Sequence, residues 1–415
     1  VAAFAVRFLG CKVSQADVTL IRDALVDAGH VEVAPEGAEV HVVNTCALTL
    51  EAERKSRQQV NRLSRRGALT FVTGCAVNLN AAQFGPGEDV VAVPRSAERA
   101  ATEILERVGP APVPGCRDVP LATGRTRAFL KIQNGCDSRC AFCIIPTTRG
   151  AAESRPLAAI LQDARRRLGE GHPELVLTGI NIGTWRDSER EVGLSDLIRT
   201  LGALDGVRRL RISSIEPGDV TQELVDAVAA TPGVGTHLHV PLQSGDPGVL
   251  VAMRRSYTPE EFLAGCARAR EAIPGLNLTT DAIVGFPGED ERAFRRTMAV
   301  VEEAGITKVH VFPFSARPGT EAAFLPGAVT AEERADRSRR LRDLSDRMGA
   351  AHRRARTGSR DVVLVEKALD DGTLTGLGAD YSRFVLPAVR GGSGDLVPVE
   401  VVGTQGDHLV GRPCS

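Results

Sequence analysis

The amino-acid sequence predicts an α/β protein in three parts: an N-terminal parallel α/β domain, a central partial (β/α)6 barrel and a small antiparallel β-barrel at the C-terminus. Three observations lead there. Strand-like and helix-like patterns alternate over residues 1–107, six strand patterns with helical patterns between them span 127–356, and from 357 onward only short β-type runs remain. Alternating strands and helices imply a parallel sheet, whereas short runs broken by Gly, Asp and Ser imply a small antiparallel barrel. The length agrees, since 415 residues at roughly 150 per domain make two or three domains.

In the first part, 4–9 reads as a strand, followed by Gly10-Cys11 and a helix with Val18, Ile21, Leu25 and Val26 on one face. A second strand, 41–44, runs into Thr45-Cys46, and a basic amphipathic helix covers 51–66. The third strand, 69–73, ends at Gly74-Cys75. Ligands of parallel α/β sheets sit beyond the carboxyl ends of the strands. Cys11, Cys46 and Cys75 each follow a strand, so a parallel sheet would bring them to one edge. Residues 108–126, dense in Pro and Gly, read as a linker.

The second part predicts strands at 128–132, 175–178, 208–213, 237–240, 276–284 and 308–312, with helices at 157–168, 194–204, 223–230, 259–273 and 291–304 between them. Function is then expected at the carboxyl ends of the barrel strands. Residues 331–356 form a helix with nine arginines against five acids, read as a solvated linking helix with nucleic-acid contact as the alternative. The third part, 357–415, carries five basic residues and eight acids, which argues against RNA binding by charge alone.

Hydrophobic residues make up 43% and charged residues 25%, which excludes a disordered, collagen-like or coiled-coil chain. No stretch approaches the roughly 18 apolar residues of a membrane span, and residues 1–8 lack the pattern of a secretory signal, so a cytoplasmic protein is expected. The net charge of −1 means that any nucleic-acid partner is held by a local basic patch. An odd number of cysteines, nine, argues against a disulfide framework and for metal or thiol chemistry.

The strongest local signal is Cys136, Cys140 and Cys143 in CxxxCxxC spacing just after a strand. Three thiolates on one loop suit a metal or an iron–sulfur cluster. Zinc would want a fourth ligand at finger spacing, and none follows. This loop resembles the signature of the radical S-adenosylmethionine (SAM) superfamily, whose partial barrel matches the periodicity. With the N-terminal trio Cys11, Cys46 and Cys75 and the terminal β-domain, nearly the whole chain resembles the methylthiotransferases. The matching segments include Thr178-Gly-Ile-Asn181, Ser213-Ser-Ile-Glu-Pro217, Pro241-Leu-Gln-Ser-Gly245, Gly285-Phe-Pro-Gly288 and Phe314-Ser-Ala-Arg-Pro-Gly-Thr320. Leu9-Gly-Cys-Lys-Val13, Asn44-Thr-Cys-Ala-Leu-Thr49, Lys55-Ser-Arg57 and His310-Val-Phe-Pro-Phe314 resemble the group acting on threonylcarbamoyladenosine (t6A) in tRNA. Ser14, Ala76-Val-Asn78 and Thr147 depart from that group's usual pattern without removing a thiol.

The resemblance implies two [4Fe–4S] clusters and SAM, two per turnover. Cys136, Cys140 and Cys143 would hold the cluster that cleaves SAM to a 5′-deoxyadenosyl radical, which takes hydrogen from C2 of the adenine. Cys11, Cys46 and Cys75 would hold an auxiliary cluster carrying the sulfur, and the terminal domain would be a TRAM-type barrel. Gly179, Asn181, Ser214, Glu216, Gln243 and Gly285 are the candidate SAM contacts, with Gly285 in a close loop against the adenine. The tRNA anticodon loop would be the partner, with flavodoxin or ferredoxin as electron donor. A threonylcarbamoyl substrate carries a carboxylate and calls for a cation. Lys12 and Arg149 are the candidates, with support of a cluster as the other role. An isopentenyl substrate would want an apolar slot instead. The competing readings are isopentenyladenosine in tRNA, a ribosomal-protein aspartate, and an electron-transfer or cluster-carrier protein. Cys116, Cys266 and Cys414 receive no role.

Overall fold

The computed structural model describes residues 1–65, 67–84, 89–110, 126–387 and 391–414. Cys116 and most of the predicted linker lie outside these residues, as does Arg66, the last residue of the helix expected over 51–66.

The first part is a five-stranded parallel sheet, with strands Val31–Glu32, Ala3–Phe8, Val40–Thr45, Leu69–Gly74 and Val90–Ala92 in that spatial order. The three strands that precede the cysteines are therefore neighbours, and their carboxyl ends lie together. Phe4, Val42 and Phe71 from these strands are buried with Ile21 and Leu25 of helix Lys12–Asp27 and Ala100 and Ile104 of helix Ala97–Val108. Helix Leu50–Ser64 starts at Thr49, whose hydroxyl accepts from Ala52 N–H and so satisfies one free donor of the first turn.

The second part is the partial barrel. Strands Arg127–Lys131, Glu174–Thr178 and Arg209–Ile212 form one parallel run, and His237–His239, Asn277–Val284 and Lys308–Pro313 another. Parallel bridges Leu210–Val234 and Ser214–His239 join the two runs, giving six strands in chain order. Alternate strand residues face outward. Leu175, Leu177, Leu210, Leu278 and Ala282 pack there with helices such as Leu194–Gly202 and Pro259–Ala272. The inward row is polar: Glu174, Arg209, Arg211, His237, His239, Thr279 and His310. The N-terminal helix Lys12–Asp27 packs against the edge strand Arg127–Lys131 and so covers that side of the lumen.

The arginine-rich helix, Ala331–Ala355, differs from a freely solvated one. It packs along strand Lys308–Pro313 with Leu341 and Leu344 buried, and Arg337 is buried in an ion pair with Glu289 at 2.7 Å. Its outer arginines are exposed, as Arg339 is.

The terminal part is a closed barrel of Arg360–Ala368, Leu374–Leu377, Arg383–Leu386, Leu396–Gln405 and His408–Pro413. Four of its seams are antiparallel, but Arg383–Leu386 and His408–Pro413 run parallel. The expected small antiparallel barrel is thus present, and its one parallel seam follows because a closed ring with an odd number of strands must contain a parallel pair. This barrel docks at the amino ends of the larger barrel's strands. Arg209 and Arg211 donate to the carbonyls of Leu377, Gly378 and Ala379, and Asn277 Nδ2 to Asp380 O at 2.8 Å.

Candidate active site

The loop bearing Cys136, Cys140 and Cys143 is closed at its base. Gln133–Asn134 pairs with Glu153–Ser154, and Cys136 N–H donates to Gly150 O at 3.1 Å. Gly135 has φ +67°, and a Cβ there would stand 1.8 Å from Ala151 O, so only glycine lets the two ends meet. Cys143 N–H bonds to Cys140 O and Ala141 N–H to Met253 O, both at 3.0 Å, which fixes the turn between the thiols. All three cysteines are half-buried and free. Burial pushes the Cys143 thiol up to about 11, and Cys140 and Cys136 add to the rise. Charging such a group of thiols without a cation is costly, which suits a site that binds metal.

Around this loop the candidate SAM residues gather unevenly. Buried Gln133 accepts through Oε1 from the N–H groups of Ile180 (3.0 Å) and Asn181 (2.9 Å), and donates through Nε2 to Gly135 O (2.9 Å). It thereby ties the turn of Gly179 and Asn181, after strand Glu174–Thr178, to the start of the cysteine loop. A Cβ on Gly179 would lie 2.9 Å from Gln133 O. Asn181 Oδ1 is buried without a hydrogen-bond partner among the described residues, an acceptor left over for a ligand. Ser214 is exposed beside its bridge to His239. Gln243 takes φ +62°, rare for a side chain other than glycine, and is stitched to Asp281 and Ile283 through its own backbone. Gly285 takes φ +71°. A Cβ built there would stand 2.2 Å from Arg334 of the long helix.

Glu216 forms a close ion pair with Arg255, a residue the sequence did not single out. Arg255 also donates to Cys140 Sγ at 3.1 Å and to Tyr257 Oη at 3.2 Å, and Tyr257 is anchored to the carbonyls of Pro241 and Leu242. Burial raises the Glu216 carboxyl pKa, although Arg255 opposes it. An arginine after a short helix carries no sequence mark of such a role.

The N-terminal triad is built by topology. Cys46 and Cys75 follow their strands directly, and Cys11 stands at the N-cap of Lys12–Asp27. A Cβ built on Gly10 would touch Cys46 Cβ at 3.2 Å. Cys46 is pushed up to about 11, first by burial and further by Cys75 and Cys11, so the three thiols share one neighbourhood. Arg149, from the helix Ile145–Arg149 that follows Cys143, reaches across. It donates to Cys75 Sγ (3.1 Å), Asn134 Oδ1 (2.8 Å) and Asp17 Oδ2 (2.9 Å). Burial disfavours its charge, but Asp17, Cys75 and Cys11 together hold its pKa above the usual value. Asn78 Nδ2 donates to Thr148 O at 2.8 Å, and helix Cys75–Leu79 packs on Ile145–Arg149. The helix that Cys75 begins thus touches the helix that follows Cys143, which brings the two triads to one junction; each offers thiols alone, and both donor sets fit iron–sulfur clusters.

The two substrate-cation candidates separate. Arg149 has all its nitrogens engaged at the junction, whereas Lys12 lines a cavity of about 590 Å³ in the barrel lumen. Arg211, His237, His239, Thr279 and His310 line it with Lys12, and Tyr381 of the terminal barrel contributes to its floor.

Residues 130–301 match the Radical SAM superfamily and residues 3–93 the Uncharacterized protein family UPF0004. The threonylcarbamoyladenosine tRNA methylthiotransferase MtaB of Bacillus subtilis is 34% identical, covering 97% of this chain and 94% of that protein. The tRNA-2-methylthio-N(6)-dimethylallyladenosine synthase of Cereibacter sphaeroides is also 34% identical, covering 98% and 97%. Among solved structures, the radical SAM methyltransferase TsrM of Kitasatospora setae shares the fold at a TM-score of 0.54 and 16% identity, over 75% of this chain and 73% of that one. Membership implies a [4Fe–4S] cluster and SAM, and among the described residues no helix is long and apolar enough to cross a membrane. With relatives this similar along nearly its whole length, the chain belongs to the radical SAM tRNA methylthiotransferases.

Proposed function

We propose that this enzyme inserts sulfur and a methyl group at C2 of t6A at position 37 of the tRNA anticodon loop. The observation that carries this substrate over isopentenyladenosine is the lining of the lumen cavity. Lys12 and four histidines line it and offer partners to a carboxylate and a hydroxyl, and an isoprenoid tail placed against them would leave polar groups desolvated without partners. The resemblance of His310-Val-Phe-Pro-Phe314 to the t6A group points the same way.

Cys136, Cys140 and Cys143 are the proposed ligands of the SAM-cleaving cluster, and Cys11, Cys46 and Cys75 those of an auxiliary one. When bound, the first supplies an electron for reductive cleavage of SAM and the second supplies sulfur, with a second SAM giving the methyl group. The chain's own residues orient and shield. Gly179 lets SAM approach the backbone, Asn181 Oδ1 takes a donor such as the SAM ammonium, and Ser214, Glu216 and Gln243 meet its polar groups at the strand ends. Gly285 shapes the same rim through Arg334. Arg255 neutralises charge at Cys140, and Arg149 does so at Cys75. Flavodoxin or ferredoxin is the proposed donor of electrons. An anticodon loop suits such a site because its bases are accessible outside a continuous duplex.

Nucleoside mass spectrometry of tRNA from cells with and without this gene tests the reading. Loss of the methylthio form of t6A is expected; loss of methylthio-isopentenyladenosine alone would replace the substrate.

A further inference from the structure

We infer that the lumen cavity is a recognition subsite for an amino-acid carboxylate, with Lys12 as its cation and His310 and Asp281, the latter held by His239, as hydrogen-bond partners to the neighbouring hydroxyl and urea groups. This rests on the reading of t6A as substrate and adds the residues that would select it.

The charge balance of the cavity comes first. Its lining holds five cations (Lys12, Arg211, Lys308, Arg353 and Arg383) against two acids, Asp346 and Asp407. Three of the cations are matched: Lys308 by Asp346 (3.1 Å), Arg383 by Asp407 (2.9 Å) and Arg211 by Glu174 (2.9 Å). Lys12 makes no ion pair among the described residues. Its ammonium stands 5.8 Å from the centre of the Tyr381 ring, a weaker partner than a carboxylate. A recess with surplus positive charge favours an anion.

The histidines supply direction. Thr279 Oγ1 lies 2.9 Å from both His237 Nε2 and His239 Nδ1, so one nitrogen of each ring is fixed. His239 Nε2 is 3.3 Å from Asp281 Oδ1, the His239 and His310 rings are 5.5 Å apart, and a ligating atom from each of His239, Asp281 and His310 falls within 4.8 Å of the others. Burial, followed by His239, holds His310 below the usual histidine pKa, so it is mostly neutral near neutral pH and can donate or accept. Asp281 is the acceptor for an N–H or O–H. A threonylcarbamoyl group presents a matching set: a carboxylate, a hydroxyl, a carbonyl and N–H groups. Position adds the last element. Lys12 directly follows Cys11, so one residue of the cavity's lining is the chain neighbour of a cysteine of the auxiliary triad.

The test uses the full-length chain with its clusters reconstituted, and anticodon stem-loop RNA carrying either t6A or its threonine methylamide, which lacks the carboxylate charge. The wild type should favour the carboxylate by about 10- to 100-fold in kcat/KM, the size of one charge-assisted hydrogen bond. Lys12→Met should bring that ratio close to one through KM, and Lys12→Arg should restore most of it. Iron content and cluster spectra show whether Cys11 still binds. His310→Leu, remote in sequence from every cysteine, is the second arm: it should lower kcat/KM for t6A RNA by about tenfold and improve turnover of isopentenyl RNA. Carboxylate preference unchanged in Lys12→Met and in His310→Leu would overturn the subsite alone. A wild type that modifies isopentenyl RNA and ignores t6A RNA would overturn the substrate reading and the subsite with it.

Discussion

The two cysteine triads are assembled by opposite routes. Cys136, Cys140 and Cys143 lie within eight residues, and their arrangement depends on one loop pinned at Gly135. Cys11, Cys46 and Cys75 span 65 residues and meet only because three strands are neighbours in one parallel sheet. The first site is encoded by spacing and the second by topology. A local site fails when its loop is disturbed. A topological one fails when the domain does. Arg149 couples them, since it belongs to the helix after the first triad and touches a thiol of the second.

Separating the triads by function gives the largest expected effect. Cys136→Ala should abolish SAM cleavage, whereas Cys46→Ala should keep cleavage and lose methylthiolated product; assays of 5′-deoxyadenosine and modified RNA read the two apart, and product from Cys46→Ala would erase the division. Next comes the junction. Asp17 is buried between Lys131 and Arg149, so Asp17→Ala leaves buried Arg149 without a carboxylate and Lys131 with Glu98 alone, and should cost about 3–5 kcal/mol in urea unfolding. Arg149→Met leaves Asp17 with Lys131 and should cost less, about 1–3 kcal/mol. Gly135→Ala adds left-handed strain of about 1–3 kcal/mol and a backbone collision, and should halve bound iron by emptying the loop triad while the sheet triad stays loaded. The smallest effect concerns reactivity. In metal-free protein, Cys46 and Cys143 with thiols near 11 hold only about a thousandth of their population as thiolate at pH 8. Alkylation there should reach exposed Cys11 first, and labelling of the other two should rise about tenfold per pH unit up to their pKa.

The same contrast explains what could be read in advance. The loop triad was visible as a spacing. The sheet triad followed from strand–helix alternation, because parallel neighbours share an edge. Strands Val31–Glu32 and Val90–Ala92 were not visible, being too short to show a period. Arg255 and Gln133 were missed because each acts by reaching another element, which adjacent residues do not record. The burial of Arg337 was missed for a related reason: nine arginines on one helix all look solvent-bound until Glu289 is placed opposite one of them. Lys12 and Arg149 read alike in the sequence as candidate cations for a carboxylate, and only geometry places one at the junction and the other in the lumen.

The terminal barrel meets its larger neighbour through Arg209, Arg211 and Asn277, with Tyr381 placed beneath the lumen. It closes the lumen at the amino ends of the strands, opposite the end where the cysteine loop lies. A chain cut before residue 357 would keep both cysteine triads and yet leak, since bulk water would enter the lumen from below.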